Sequence, residues 1–438
     1  MKRRSDVIVI GAGAAGLAAA EALSRGGASV VVLEARARAG GRIWTRRMRG
    51  WPLPIELGAE FVHGKNDDLF ELARPAGLLI DRLPDVHFES AGSRWRRSSG
   101  VWKQFDAITR KMRRTGRDRS VAEFLRMYRA LSGAQKRLAT SLIQGYYAAE
   151  LDRASEHALS TAGDPPPSAD EQSQFRILSG YDGVTERLRS LIDPKQGRLL
   201  FSTPVRQIRW RRGDVTVRTA DSGEFRARHA IVTVPAGVLK DPPDAKGAIR
   251  FDPDPPELRR ALDGIAVGHV VKIVLLFREA FWEEQTEEGE EIAFIHKWDA
   301  AFPTWWTAAP AQVPMLTGWA GGPAAKALER LPRNVVLRRA LEALESLFEV
   351  PVGKSRRLLV AWHAHDWTRD PFARGAYTYQ AVGGAKAPSA LGRPIAGTLF
   401  FAGEATEREE NGTVPGAITS GRRAARLIGV RSPLATSR

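Results

Sequence analysis

Gly11, Gly13 and Gly16 stand between the apolar run Val7-Ile8-Val9-Ile10 and an alanine- and leucine-rich stretch. A glycine turn between a strand and a helix brings backbone amides and a helix N-terminus to one point, an arrangement suited to a pyrophosphate. Gly11 allows the tight turn, Gly13 the approach of phosphate, and Gly16 close packing of helix on strand. A second apolar run, Val30 to Leu33, ends at Glu34, near the spacing of about 20 residues at which a carboxylate meets a ribose. Strand, turn, helix, strand and acid predict a dinucleotide unit, with Ala15 in its turn and Ala35 and Arg36 just past the acid. Far along the chain, Lys272 interrupts Val270 to Phe277, where alternation leaves both faces apolar. A lysine there is costly to bury unless it is paired or used in chemistry. Near the end, Leu399-Phe400-Phe401-Ala402-Gly403 predicts a strand delivering Glu404, and Thr413-Val414-Pro415-Gly416-Ala417 opens a final helix whose N-terminus favours negative charge.

The Gly-rich unit alone leaves NAD and FAD equal. Beyond it, Ala35-Arg36-Ala37-Arg38-Ala39-Gly40-Gly41-Arg42 can bring backbone at Gly41 and the Arg42 guanidinium to the same diphosphate. With Glu56-Leu57-Gly58-Ala59-Glu60-Phe61-Val62-His63-Gly64, Ala230 to Pro235, and Phe401-Ala402-Gly403-Glu404, the chain resembles the flavin-dependent amine oxidases. That family comprises monoamine oxidases, polyamine oxidases and lysine-specific histone demethylases, and the likeness runs along essentially the whole chain.

The resemblance implies FAD, an amine substrate and O2. It implies that Lys272 holds a water beside the flavin atom that accepts hydride, that Val205 meets the adenine through its backbone, and that Gly58, Ala59 and Pro235 pass close to the cofactor. Glu404 is expected on FAD hydroxyls, with Thr413 and Val414 at the flavin edge. Tyr377 matches the first of two tyrosines that enclose the amine in monoamine oxidases; the second falls at Thr413, which favours the polyamine oxidase branch. His63 is expected to touch substrate, Glu60 to pair with a distal ammonium, and Trp367 to pack near the ring. Trp298, Trp305, Trp306 and Trp319 are candidates for an amine channel or for core. The covalent monoamine oxidases attach flavin to a cysteine just before this tyrosine; here the pair is Ala376-Tyr377, so FAD is expected to be non-covalent.

Composition is that of a globular chain of 438 residues, 43% hydrophobic and 26% charged, long enough for two domains. The absence of cysteine excludes disulfides, thiolate metal sites and a thiol nucleophile, and no metal site is expected. Met1-Lys2-Arg3-Arg4-Ser5 looks like the start of a twin-arginine signal, but Val7 already begins the first strand, so a cytoplasmic protein without a membrane anchor is expected. The net charge of +16 leaves a nucleic-acid or acidic partner open. Its densest basic run, Arg94 to Arg119, reads more simply as a solvated helical face.

The elements that must position these residues predict an α/β fold, a Rossmann-type FAD-binding domain interleaved with an α+β substrate-binding domain. The expected cofactor segments are 1–85, 195–265 and 386–438, and the substrate segments 86–194 and 266–385. Helices are expected from Gly100 to Gln144, loops at Pro165-Pro166-Pro167 and Glu283 to Glu291, and a hairpin from Asp214 to Arg228. Ala230 to Val234 reads as a separate buried strand, and a second sheet begins at Gly268. Two rivals remain: an L-amino-acid oxidase, which needs an arginine for the substrate carboxylate, and a basic flavin-containing binding protein. Histone demethylases carry a helical tower insertion and an extra N-terminal domain, for which this length leaves no room.

Overall fold

A computed structural model describes residues 4–91, 94–98, 100–161, 173–283 and 292–429. The expected Pro165 to Pro167 loop, most of the acidic stretch up to Glu291 and the tail from Val430 lie outside the described residues. Among those described, no helix is long and apolar enough to cross a membrane.

Five strands form a parallel core in the order Gly197–Leu200, Val30–Leu33, Ser5–Ile10, Glu224–Val232 and Leu399–Phe401. Both faces of this layer are covered, and Val7 to Ile10 and Val30 to Leu33 are buried throughout, which is why they read as unbroken apolar runs. Glu224–Val232 is one continuous strand, where two segments were expected. Its first half pairs antiparallel with Asp214–Thr219 and its second half parallel with Leu399–Phe401, so one strand serves both the hairpin and the parallel core. The carboxyl ends, at Ile10, Leu33, Leu200, Val232 and Phe401, lie on one side, where open α/β sheets bind ligands.

The second sheet has seven strands, in the order Leu359–His365, Val270–Phe277, Met315–Gly321, Thr304–Thr307, Phe294–His296, His87–Ala91 and Arg94–Ser98. Its outer face, with Ile273, Leu275, Trp305 and Leu316, packs on helix Arg333–Phe348. The last two strands were not foreseen. Arg94 to Arg119 is therefore no helical face: it starts as a strand, continues through helix Val101–Thr109, and ends with Arg119 turned onto buried Glu156 at 2.5 Å. The predicted Gly100 to Gln144 segment resolves into three helices, Val101–Thr109, Val121–Met127 and Gly133–Gly145.

Helix Asp182–Ser190, expected with the substrate segments, packs on helix Ala14–Arg25 through Val184 and Leu188, in the core of the parallel layer. Ala14–Arg25 also packs along the final helix, Val414–Leu427. A Cβ on Gly421 would stand 2.1 Å from the Ala15 carbonyl oxygen, closer than any contact permits. Gly421→Ala must therefore separate the two helices, and we expect a loss of about 1–3 kcal/mol in urea denaturation.

Candidate active site

One cavity of about 960 Å³ runs from the carboxyl ends of the parallel strands to the inner face of the second sheet. At its first end, Gly11 has φ +103°, which an L side chain rarely adopts, and a Cβ on Gly13 would meet nothing within 4 Å. The backbone at Gly13 is thus open to the cavity and begins helix Ala14–Arg25. Gly41 lies against it, its would-be Cβ 3.4 Å from Gly13 Cα. Glu34 is buried and accepts from the Ala12 amide at 2.7 Å and the Arg36 amide at 2.8 Å, so one carboxylate ties the turn to the end of the second strand. Ala15, Ala35, Val205 and Pro235 complete this end.

Gly16 does not reach the cavity. A Cβ there would be 2.0 Å from the Gly11 carbonyl oxygen, so its part is to let the helix close on the turn. Arg36 points along the wall to Asp370 at 2.6 Å. Arg42 bonds Glu404 at 2.9 Å and the Ala376 carbonyl, while the other Glu404 oxygen accepts from the Thr378 hydroxyl at 2.7 Å. Gly403, at φ +137°, turns the chain into Glu404. Thr413 caps the final helix by accepting from the Gly416 amide at 3.1 Å; Pro415 has no N–H, which leaves Val414 as the outermost donor.

In the middle, a Cβ on Gly58 would be 1.8 Å from the Arg42 carbonyl oxygen and 3.1 Å from the Trp367 ring. Trp367 donates its indole N–H to the Leu57 carbonyl at 2.8 Å, so the 57–59 backbone is clamped against the cavity wall. Lys272 projects from the inner face of the second sheet, only 3% of its side chain exposed, with Nζ 2.5 Å from Glu60 Oε2 and 3.1 Å from the Gly58 carbonyl. The other Glu60 oxygen accepts from Arg176 and from the Trp306 indole, each at 3.0 Å. Glu60 is thus committed to two protein cations and does not have the free carboxylate expected for a distal ammonium. Burial alone would raise its carboxyl, but Lys272 and then Arg176 act the other way and prevail, holding it below the usual range.

The far end is aromatic. Tyr377 lies parallel to Trp319 at 6.5 Å, and its hydroxyl donates to the Tyr146 carbonyl. Tyr146 meets His63 edge-on at 5.5 Å, and Phe61 packs on Trp306 at 5.2 Å. His63 is exposed on the cavity wall, and loss of solvent to the protein around it lowers its imidazole to about 4. Burial likewise pushes the Tyr146 phenol up to about 12. Trp298, Trp306 and Trp319 line the cavity, whereas Trp305 is core. Tyr146 and Arg176 were not anticipated. The only trace of Tyr146 is a Gly145-Tyr146-Tyr147 sequence ending a helix, and Arg176 carries no local signal at all.

Every expected site residue except Gly16 therefore lines a single cavity. Its lining fits an extended dinucleotide carrying a ring system: bare backbone at Gly13 and Gly41 for phosphates, Glu34 for a ribose, and a Gly58 segment packed so closely on Arg42 and Trp367 that only glycine fits.

A profile of the flavin containing amine oxidoreductase family matches residues 14–429. The chain belongs to that family. Its cofactor is FAD, held non-covalently. The chain is 28% identical to lysine-specific histone demethylase 1 homolog 2 of Arabidopsis thaliana over 97% of its own length and 58% of that protein. It is 27% identical to lysine-specific histone demethylase 2 of Homo sapiens, over 97% and 53%. It thus spans little more than half the length of these relatives. Against the peroxisomal N(1)-acetyl-spermine/spermidine oxidase of Bos taurus it is 27% identical over 99% of its length and 96% of that enzyme's. Putrescine oxidase bound to putrescine superposes with a TM-score of 0.79 at 21% identity, covering 98% of this chain and all of the other. Cyclohexylamine oxidase from Brevibacterium oxydans gives 0.78 at 24%, covering 97% and 99%. At these identities the superpositions establish the fold.

Glu60→Gln would leave Lys272 and Arg176 buried without a counter-charge, a change that typically costs about 3–5 kcal/mol. Denaturation of the FAD-bound protein should show a loss of that order.

Proposed function

We propose that this chain is an FAD-dependent amine oxidase. The observation that carries it is the convergence, on one cavity, of a dinucleotide cradle, an amide at a helix N-terminus, a buried lysine and an aromatic chamber. FAD bound there would take a hydride from the amine α-carbon and be reoxidised by O2 with release of H2O2. Gly13, Gly41 and Glu34 would hold the nucleotide part, with Glu404 and Arg42 on the linking chain and Val414 facing the ring edge where negative charge gathers. Tyr377, Trp319, Tyr146 and His63 would enclose the carbon skeleton of the amine and exclude bulk water. Neutral His63 adds no positive charge to oppose an incoming ammonium. The amine must shed its ammonium proton before hydride leaves, and the imine product is hydrolysed to an aldehyde or ketone.

The packing supports a division into cofactor segments 1–85, 195–265 and 386–438 and substrate segments 86–194 and 266–385, with Asp182–Ser190 moved to the cofactor side. An L-amino-acid oxidase fits less well. Arg36 and Arg42 are occupied by Asp370 and Glu404, and Arg176 is bound to Glu60, so these arginines are not offered to a substrate carboxylate. Arg119, at the end of the Arg94 to Arg119 run, is turned inward onto Glu156 and so adds nothing to a surface for an acidic partner.

Mixed anaerobically with a panel of mono-, di- and polyamines and their amino-acid parents, the yellow holoprotein should bleach with amines; bleaching by amino acids alone would end this reading. Lys272→Met should slow flavin reduction or reoxidation by at least about tenfold in stopped-flow absorbance, and unchanged rates in both would remove its role.

A further inference from the structure

Glu60, which lines the large cavity beside Lys272, also lines a second cavity of about 30 Å³, room for one water. Glu56, Glu60 and Arg176 line it, together with Thr307 and Thr317. Arg176 is buried, and its Nε–H has no partner among the described residues. Glu60 reaches this cavity with the carboxylate that also holds Lys272. Glu56 is itself buried and accepts from the Tyr181 amide at 2.8 Å and from the Thr45 hydroxyl at 2.9 and 2.8 Å. Thr45 in turn accepts from the Asp182 amide at 3.0 Å, and Asp182 pairs with Arg47, whose side chain is 56% exposed. A buried polar pathway thus leads from Lys272 through Glu60 and the small cavity to Glu56, then through Thr45 to the protein surface. None of the chemistry assigned above uses it.

We propose that Glu56, with a water held between it, Glu60 and Arg176, resupplies Lys272 with the proton consumed when O2 is reduced. This rests on the oxidase reading. The balance is O2 + H⁻ + H⁺ → H2O2: the two electrons and one hydrogen come from the amine as hydride, and the second hydrogen arrives as a proton through the protein. The Lys272 ammonium gives that proton and becomes the amine. The Glu56 carboxyl then returns a proton by way of the water and the Glu60 carboxylate that contacts Lys272, becomes the carboxylate, and is reprotonated from solvent on the side of Thr45 and Arg47. The ionisation of Glu56 suits the task. Burial raises it to about 7 against the opposing pull of the Tyr181 amide, the Thr45 hydroxyl and Lys272, while Glu60 adds to the rise. The other charged or titratable groups around it are Arg47, Arg176 and Tyr181, each of which feels the Glu56 carboxylate.

Stopped-flow reoxidation of the amine-reduced holoenzyme should slow as pH rises through about 7 in the native protein. It should be at least about tenfold slower and flat with pH in Glu56→Gln, while Glu56→Asp recovers the pH dependence. A purely structural role would instead lower FAD content or melting temperature without removing the pH dependence. Difference infrared titration of the resting holoprotein gives a second reading that needs no turnover. A protonated-carboxyl carbonyl band should disappear as pH rises through about 7, be absent in Glu56→Gln and shifted in Glu56→Asp. A native pH profile in Glu56→Gln, or a carbonyl band unchanged by that substitution, overturns the proposal. Failure of every amine to reduce the flavin would overturn the oxidase reading instead, and the infrared band would still decide whether Glu56 titrates.

Discussion

The two ends of the chain are bound to one site by a backbone contact that admits no side chain. Gly421 on the final helix sits against the Ala15 carbonyl on the first helix, and the two helices run along one another below the carboxyl ends of the parallel strands. The same two helices begin just after Gly13 and Thr413, and the first residues of both line the cavity. Close packing of helix on helix therefore sets where two positive helix ends stand relative to each other, and a dinucleotide with a ring at its far end needs both. The parallel strands serve the same end, since pairing of Glu224–Val232 with both Ser5–Ile10 and Leu399–Phe401 keeps residues almost 400 positions apart in register.

A second constraint is the charge inside the other sheet. The Val270–Phe277 strand is buried along its whole length, and a lysine in it can stay charged only where other groups compensate. Glu60 does so, but it is also claimed by Arg176 and Trp306, and Glu56 adds another acid nearby. The result is a compact cluster of two acids and two bases at the seam between the sheets. It locks Lys272 beside the Gly58 backbone and pairs Glu60 with two protein cations. The far end of the cavity is lined instead by aromatic rings, Tyr377, Trp319, Tyr146 and Phe61, with His63 beside them.

Those parts of the site whose cause is local were legible in the residues. The Gly-rich turn, Glu34, the strand carrying Lys272 and the Gly403-Glu404 turn each follow from short-range rules of backbone freedom, alternation and helix ends, and the cavity gathers all of them except Gly16. Gly16 stays outside it because its part is the close packing that its place in the glycine pattern implies, helix against turn. Glu60 was assigned to substrate because its partners Arg176 and Trp306 are 116 and 246 residues away. Tyr146 went unnoticed because its position opposite His63 depends on how the Gly133–Gly145 helix packs, and no periodicity encodes that. The Arg94 to Arg119 run was read as one helical face because its charge density hid a strand that the sheet edge recruits.

By itself, then, the amino-acid order determined the dinucleotide unit and the identity of the buried lysine, because each depends on residues whose conformational or desolvation cost is intrinsic, while its motifs carried the resemblance to the family and with it the flavin. Tertiary structure decided which acid answers that lysine, which aromatic rings line the far end of the cavity, and that a second acid, Glu56, stands near it. These depend on contacts between distant segments, and such contacts exist only once the two sheets have closed on the same cavity.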